Sequence, residues 1–209
     1  MAKLFYIESS PRKNRSTSIE IAKIFLDEYR KKHPQDEVIV KDLWKIELPI
    51  FDGDVIDAKY AIMHQQPHTE AQVKAWIGVE DLIAEFKSAD KYVLSLPMWN
   101  FGIPYKLKHY IDILVQPGYT FETTAEGEYN GLVKGKRMLV IYSRGGAYVT
   151  VPGLEQLDLQ KKYIETIFGF IGFQNLQSII IEPTQMGEDK KKESLKDAKE
   201  KAQKAAAQF

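Results

Sequence analysis

The chain has 209 residues, with 29 Lys+Arg balancing 29 Asp+Glu, 44% hydrophobic residues and no cysteine. The length predicts a single domain over residues 1–209, since domains run to about 100–200 residues. Zero formal charge argues against nucleic acid or an anionic membrane as the main partner, because either calls for a basic surplus. Without cysteine there is no disulfide framework, thiolate nucleophile, cysteine-ligated zinc or iron–sulfur cluster.

The first apolar run, Leu4-Phe5-Tyr6-Ile7, meets Glu8 at once and is too short for a signal peptide. No stretch of about 18 apolar residues occurs, so a soluble, cytoplasmic protein is expected. That same run lacks polar alternation, the pattern of a strand covered on both faces. Ile19, Ala22, Phe25, Leu26 and Tyr29 then recur at helical spacing until His33-Pro34 turns the chain. Val38-Ile39-Val40 predicts a second strand, and a less regular excursion follows over residues 43–69, carrying Pro49, Gly53 and Pro67. Trp76, Val79, Ile83 and Phe86 share one face of a long helix, and Tyr92-Val93-Leu94-Ser95-Leu96 is a third buried strand ended by Pro97.

Pro104 suits the first position of a helix running through Leu107, Tyr110 and Ile111. The Gly-rich, acidic stretch 118–135 has room for a hairpin, and Met138-Leu139-Val140-Ile141-Tyr142 is the fourth strand. A helix over 157–170, a fifth strand at 178–181 and a last helix over 189–207 complete the chain. The last helix places Leu195, Ala198, Ala202 and Ala205 on its apolar stripe and lysines on a solvated face. Five strands alternating with helices predict an α/β fold: one doubly wound parallel sheet, strand order 2-1-3-4-5, helices on both faces. Ligands of such sheets lie outside the carboxyl ends of the strands, which points to the loops after strands one, three and four.

The first of these, residues 8–18, is hydroxyl-rich and basic and ends where a helix begins. Unpaired N–H groups and serine hydroxyls there suit a phosphate; equally, Thr17 with Glu20 reads as an ordinary capping box. Neither GxGxxG nor GxxxxGK[ST] is present, so dinucleotide and P-loop readings lose their support. The second loop, Pro97-Met98-Trp99-Asn100-Phe101-Gly102-Ile103-Pro104, suits a flat heteroaromatic ring, or else fills the core around a turn. The third, Ser143-Arg144-Gly145-Gly146-Ala147-Tyr148, offers paired glycines for close backbone approach to a ligand, though a bare turn needs them as much. Tyr148 either faces a substrate or packs within its loop, and His109 is read as structural. His33, His64 and His68 show no metal-ligand spacing with acidic partners, so no metal is expected.

The Ser-Xaa-Arg and Ser-Xaa-Ser elements of the first loop, the stretch 97–108 and Ser-Arg-Gly-Gly at 143–146 together closely resemble the FMN-dependent NADH-azoreductases, also called FMN-dependent NADH:quinone oxidoreductases. Phe121, Gly131-Leu132, Gly135-Lys136 and Phe170-Ile171-Gly172 extend the likeness over nearly the whole chain. The resemblance implies a flavodoxin-like homodimer with tightly bound FMN near the subunit interface, and NADH as electron donor. Small-molecule quinones and azo compounds would be reduced in a ping-pong cycle. It implies that Ser10, Ser16, Thr17 and Ser18 hold the FMN phosphate and that Pro97, Met98, Trp99, Asn100 and Phe101 meet the ring. Ser143, Arg144, Gly145 and Gly146 would line its pyrimidine side, with Asn100, Gly145 and Gly146 assisting catalysis. Phe121 and, more loosely, Phe168 would join Tyr148 at the substrate, and gating residues in 53–70 are not transferable. Two rival readings are a flavodoxin-type electron carrier, usually far more acidic than this chain, and an α/β interaction module that holds no flavin.

Overall fold

The computed structural model describes residues 1–64, 66–67 and 69–209. Strand β1 (Lys3–Glu8) leads through a short 3-10 turn (Lys13–Arg15) into α1 (Thr17–Lys32), followed by β2 (Glu37–Asp42), α2 (Gly53–Met63) and α3 (Glu70–Lys87). Next come β3 (Lys91–Pro97), α4 (Tyr105–Leu114), β4 (Phe121–Thr123), β5 (Tyr129–Gly131) and β6 (Arg137–Ser143). A second 3-10 turn (Glu155–Leu157) precedes α5 (Leu159–Phe170), β7 (Asn175–Ile181) and α6 (Glu188–Ala206).

Five strands form one parallel sheet in the order β2-β1-β3-β6-β7, the doubly wound order expected, while β4 and β5 make a separate antiparallel hairpin within the Gly-rich stretch. Residue alternation along each strand sends neighbouring side chains to opposite faces, and both faces are covered. Phe5, Ile7, Leu94, Leu96, Val140 and Tyr142 pack on one face with Trp76, Val79, Ile83 and Phe86 of α3, Leu107 and Ile111 of α4, and Ile164 of α5. Leu4, Tyr6, Val93, Leu139, Ile141 and Ile179 pack on the other with Phe25, Leu26 and Tyr29 of α1 and Ala198, Ala202 and Ala206 of α6. Small alanines let α6 lie close to α1, and Phe209 closes that layer edge-on against Phe25 at 5.2 Å.

Register brings the carboxyl ends of the strands into line. Glu8 of β1 stands opposite Asp42 of β2 and Ser95 of β3, and Pro97 of β3 stands opposite Ser143 of β6. The three loops named from the sequence therefore leave the sheet at one rim.

Local boundaries differ from expectation in four places. The excursion over 43–69 contains the regular helix α2, capped by Asp52, whose carboxylate accepts from the Val55 N–H at 3.3 Å, with Val55 and Ala58 buried. Asp52-Gly53-Asp54 was the start signal there, obscured by the nearby Pro49 and Pro67. The cap of α1 is Ser16 and not Thr17: Ser16 Oγ accepts from the Ile19 N–H at 3.5 Å, leaving the Thr17 hydroxyl for another partner. Pro104 occupies the cap position of α4, one residue before the helix proper, and α5 starts at Leu159 because the Asp158 carboxylate accepts from the Lys161 N–H at 3.0 Å.

Candidate active site

Direct bonds tie the three loops together. The Ser9 N–H and hydroxyl both donate to the Ser95 carbonyl, at 3.1 and 2.8 Å, fixing the exit of β1 to β3. Thr17 Oγ1 and Ser143 Oγ share a hydrogen bond of 2.5 Å, joining the start of α1 to the end of β6, and the Met98 N–H donates to the Ser143 carbonyl at 2.8 Å. Phe101 and Tyr148 meet edge to face with ring centroids 6.3 Å apart. Residues far apart in sequence thus form one continuous rim.

Ser10, Ser16 and Ser18 of the first loop are buried, and the Ser16 and Ser18 hydroxyls lie 3.1 Å apart. The first backbone bond of α1 is from the Glu20 N–H to the Ser16 carbonyl, so the N–H groups of Thr17 and Ser18 precede the intrahelical ladder. The hydroxyls of Ser16, Thr17 and Ser18 therefore sit at the positive end of the α1 dipole. The exposed Arg12 and Arg15 line a cleft of 470 Å³ beside Thr17, adding positive potential. Below Ser9, the Tyr6 phenol bonds Ser95 Oγ at 2.9 Å, and burial holds it neutral far above the usual tyrosine range.

The second loop is a tight two-residue turn. Trp99 and Gly102 exchange N–H···O bonds of 3.1 and 2.9 Å, and the two residues between them, Asn100 and Phe101, have φ of +48° and +66°. Left-handed backbone at non-glycine residues costs on the order of 1–3 kcal/mol and persists where the surroundings hold it. Here the strained pair is presented at the rim, with Phe101 42% exposed. Trp99 leans on Trp44 at 6.0 Å and on Tyr105 at 6.2 Å, and the Trp44 indole N–H donates to the Ser9 carbonyl at 2.8 Å. Trp44 was not picked out from the sequence, although its place just after β2 puts it at the same rim.

In the third loop Arg144 departs from the expected role. Its side chain is buried, with Nε donating to Gln160 Oε1 at 3.0 Å and the guanidinium paired with Asp158 at 2.8 Å and Glu182 at 3.2 Å. The guanidinium is thus committed to acidic and amide groups of the protein and braces the loop, and the backbone is committed as well, the Arg144 N–H donating to the Ile181 carbonyl at 3.0 Å. The Arg144 carbonyl accepts from both the N–H and the hydroxyl of Thr184, and the Gly145 carbonyl accepts from the Gln185 N–H at 3.1 Å. A Cβ at Gly145 would come within 2.9 Å of Gln185 Oε1, and one at Gly146 within 3.2 Å of the Tyr148 ring. A side chain at either position would thus have to displace Gln185 or Tyr148.

The aromatic candidates separate. Phe121 sits on β4 in an aromatic group with Phe170 at 4.7 Å and the exposed Tyr129 at 6.0 Å. Phe168, by contrast, is only 2% exposed and enclosed by Phe86 and Phe173 at 6.4 and 5.6 Å, a core position and not a surface one. Its neighbour on the helix surface, Phe170, belongs to the Phe121 group instead.

Beside Asn100 opens a cavity of 960 Å³, lined chiefly by Ile50, Phe51, Trp99, Ile103, Tyr105 and Tyr163. Ile50 and Phe51 come from the segment just before α2, ahead of the 53–70 stretch suspected of gating. His109 also lines this cavity and hydrogen-bonds the Pro49 carbonyl through Nε2 at 2.8 Å, which holds that segment against α4. His33 packs against Tyr29 with ring centroids 4.5 Å apart, and His64 bonds the Tyr60 carbonyl; His68 lies outside the described residues.

The profile of the family described as having a flavodoxin-like fold matches residues 2–206. An FMN-dependent NADH:quinone oxidoreductase of Desulfotalea psychrophila is 49% identical over 184 residues, covering 88% of this chain and 86% of its own length. A protein of the same name from Nitratidesulfovibrio vulgaris is 43% identical over 210 residues, spanning 100% of both chains. Among solved structures, an FMN-dependent NADH-azoreductase from Bacillus anthracis in complex with FMN superimposes with a TM-score of 0.91 at 30% identity, covering 100% of this chain and 99% of that one. The chain is a flavodoxin-like α/β protein, and within that class it belongs to the family of FMN-dependent NADH:quinone oxidoreductases and azoreductases.

Proposed function

We propose that this chain is an FMN-dependent NADH:quinone oxidoreductase that also cleaves azo compounds, working by a ping-pong cycle. The observation that supports it most is the bonding of the three loops into one rim, with a hydroxyl cluster at one end and an aromatic, amide-bearing turn at the other. The donor set fits a flavin mononucleotide: buried hydroxyls and helix N–H groups for a phosphate dianion, Met98, Trp99 and Phe101 for an apolar ring, and backbone N–H groups for its polar edge. When bound, FMN supplies the redox chemistry, accepting two electrons from NADH and yielding them to a quinone or azo acceptor.

The chain's own residues bind, orient and shield. Ser10, Ser16, Thr17 and Ser18 fix the phosphate and so the register of the ring. The strained Asn100-Phe101 turn presents the Asn100 amide to the ring edge without reorganisation at the moment of reaction. The N–H groups of Gly145 and Gly146 stabilise negative charge on the pyrimidine side, held there by the Arg144 brace. Phe101 and Tyr148 wall off water, and the 960 Å³ cavity leaves room for flat acceptors of varied outline.

We also propose a homodimer. Ile50, Tyr105 and Leu159 border the cavity while 73%, 64% and 52% exposed, an apolar rim of the kind that a second copy covers. Phe121 would then contribute to the neighbouring subunit's site. Sedimentation of the active protein as a monomer would contradict this.

The test of function is anaerobic stopped-flow mixing with NADH. Direct bleaching of the flavin, followed by reoxidation on adding a quinone, is the expected result. A flavin that NADH leaves oxidised until a separate reductase is added would make the protein an electron carrier.

A further inference from the structure

Lys13 stands in the middle of the hydroxyl-rich loop, yet its side chain reaches back to the sheet. Its ammonium donates to Glu8 Oε1 at 2.8 Å and to Asp42 Oδ1 in a shorter bond. Glu8 and Asp42 end the adjacent parallel strands β1 and β2 and stand directly opposite each other, with side chains 12% and 14% exposed. Like charges so placed repel, and the ammonium between them offsets that repulsion. Burial works against the ammonium, but its hydrogen bonds to Asp42 and Glu8 and their negative charges outweigh it and raise the lysine pKa. The other cation near Asp42, Lys45, is 78% exposed and no closer than 4.0 Å.

The backbone of Lys13 is equally committed. Its φ is +49°, left-handed space that favours glycine, and a lysine keeps it only when its side chain or surroundings hold it. Its carbonyl accepts from the Ser16 N–H at 2.9 Å, and Ser16 is the cap of α1. One residue therefore connects the carboxylates at the strand ends to the start of the helix.

We propose that Lys13 is the positioning residue for the phosphate end of the cofactor: its ammonium neutralises Glu8 and Asp42 at the strand ends, and its carbonyl sets Ser16 so that the hydroxyls and N–H groups at the start of α1 converge on a phosphate dianion. This rests on the FMN reading of the site. Losing Lys13 would both release the turn and leave two carboxylates repelling the incoming phosphate.

Titration of the apo-protein with FMN and, in parallel, with riboflavin, which carries the same ring without the phosphate, tests it. Lys13→Met is expected to weaken FMN binding by about 10- to 100-fold, the loss of one charge-assisted interaction. Riboflavin affinity should stay within about threefold, the scatter of uncoupled sites. Lys13→Arg should retain FMN binding, and adding Asp42→Asn to Lys13→Met should recover part of the loss. Equal FMN affinity in wild type and Lys13→Met, or equal losses for both flavins, overturns the proposal. If Lys13→Met fails to fold, the double variant is compared with Asp42→Asn alone: weaker FMN binding in the double supports the role, and equality overturns it. A wild-type protein that binds neither flavin overturns the FMN reading, and this inference with it.

Discussion

Arg144 carries the largest burden of any single side chain at the rim. Fully buried, it is matched against Asp158 and Glu182, whose side chains are 14% and 6% exposed, and it bonds Gln160. Removing one partner of such a group leaves uncompensated charge in a poorly solvated place, which is far costlier than losing a surface pair. Arg144→Met is expected to cost about 3–5 kcal/mol in chemical denaturation, and a loss under about 1 kcal/mol, the level of an exposed pair, would contradict the brace. The sequence alone presented Arg144 as one residue of a Ser-Arg-Gly-Gly loop, with nothing to say which way its side chain turns. Its acidic partners are 14 and 38 residues further on, and only the packing of α5 and the end of β7 against the loop brings them in. The burial of Phe168 was hidden for the same kind of reason: nearby positions on one helix differ in burial, and the aromatic that joins the Phe121 group is Phe170.

At the scale of elements, the β4–β5 hairpin depends on a close backbone approach. A Cβ built on Gly131 would lie 2.4 Å from Gly172 N and from the Ile171 carbonyl carbon, main-chain atoms that cannot swing aside. The Val133 N–H also donates to the Ile171 carbonyl at 2.8 Å, so the hairpin exit is docked on the end of α5. Gly131→Ala is expected to destabilise the protein by at least about 1–3 kcal/mol through overpacking. It should also move the Phe121–Phe170 contact, read as a changed near-ultraviolet circular dichroism signal; an unaltered melting temperature and spectrum would refute the docking. The five sheet strands were legible because each has a short apolar stretch flanked by polar loops, and in β1, β3 and β6 burial on both faces removes the polar alternation. Helix α2 was not, because its one start signal was a cap at Asp52 in a stretch punctuated by prolines, which break helical periodicity on either side of it. The site loops were found through their residue types and place in the topology, whereas Trp44 and the Ile50-Phe51 segment belong to the β2–α2 connection, whose course periodicity does not specify.

Across the molecule, both faces of the sheet bury tyrosines. Tyr6, Tyr92, Tyr110 and Tyr142 all have pKa values raised well above the ordinary tyrosine range, with burial the leading cause in each. The folded state keeps these phenols protonated where the unfolded chain ionises them at about pH 10. Their contribution to stability is therefore fully present below that pH and is lost as pH rises through it. Denaturant midpoints are expected to fall steeply above about pH 10, with tyrosinate absorbance appearing together with unfolding. Tyrosinate signal from all four preceding unfolding would contradict their burial.

The same sheet brings its strand ends to one rim, and the claim that everything functional depends on is that this rim holds FMN. An absorbance spectrum of the purified protein, before and after adding FMN to any colourless fraction and removing the excess, tests it most directly. The expected result is a yellow protein with retained flavin bands approaching one flavin per chain. A colourless protein that releases all added FMN on desalting would contradict it.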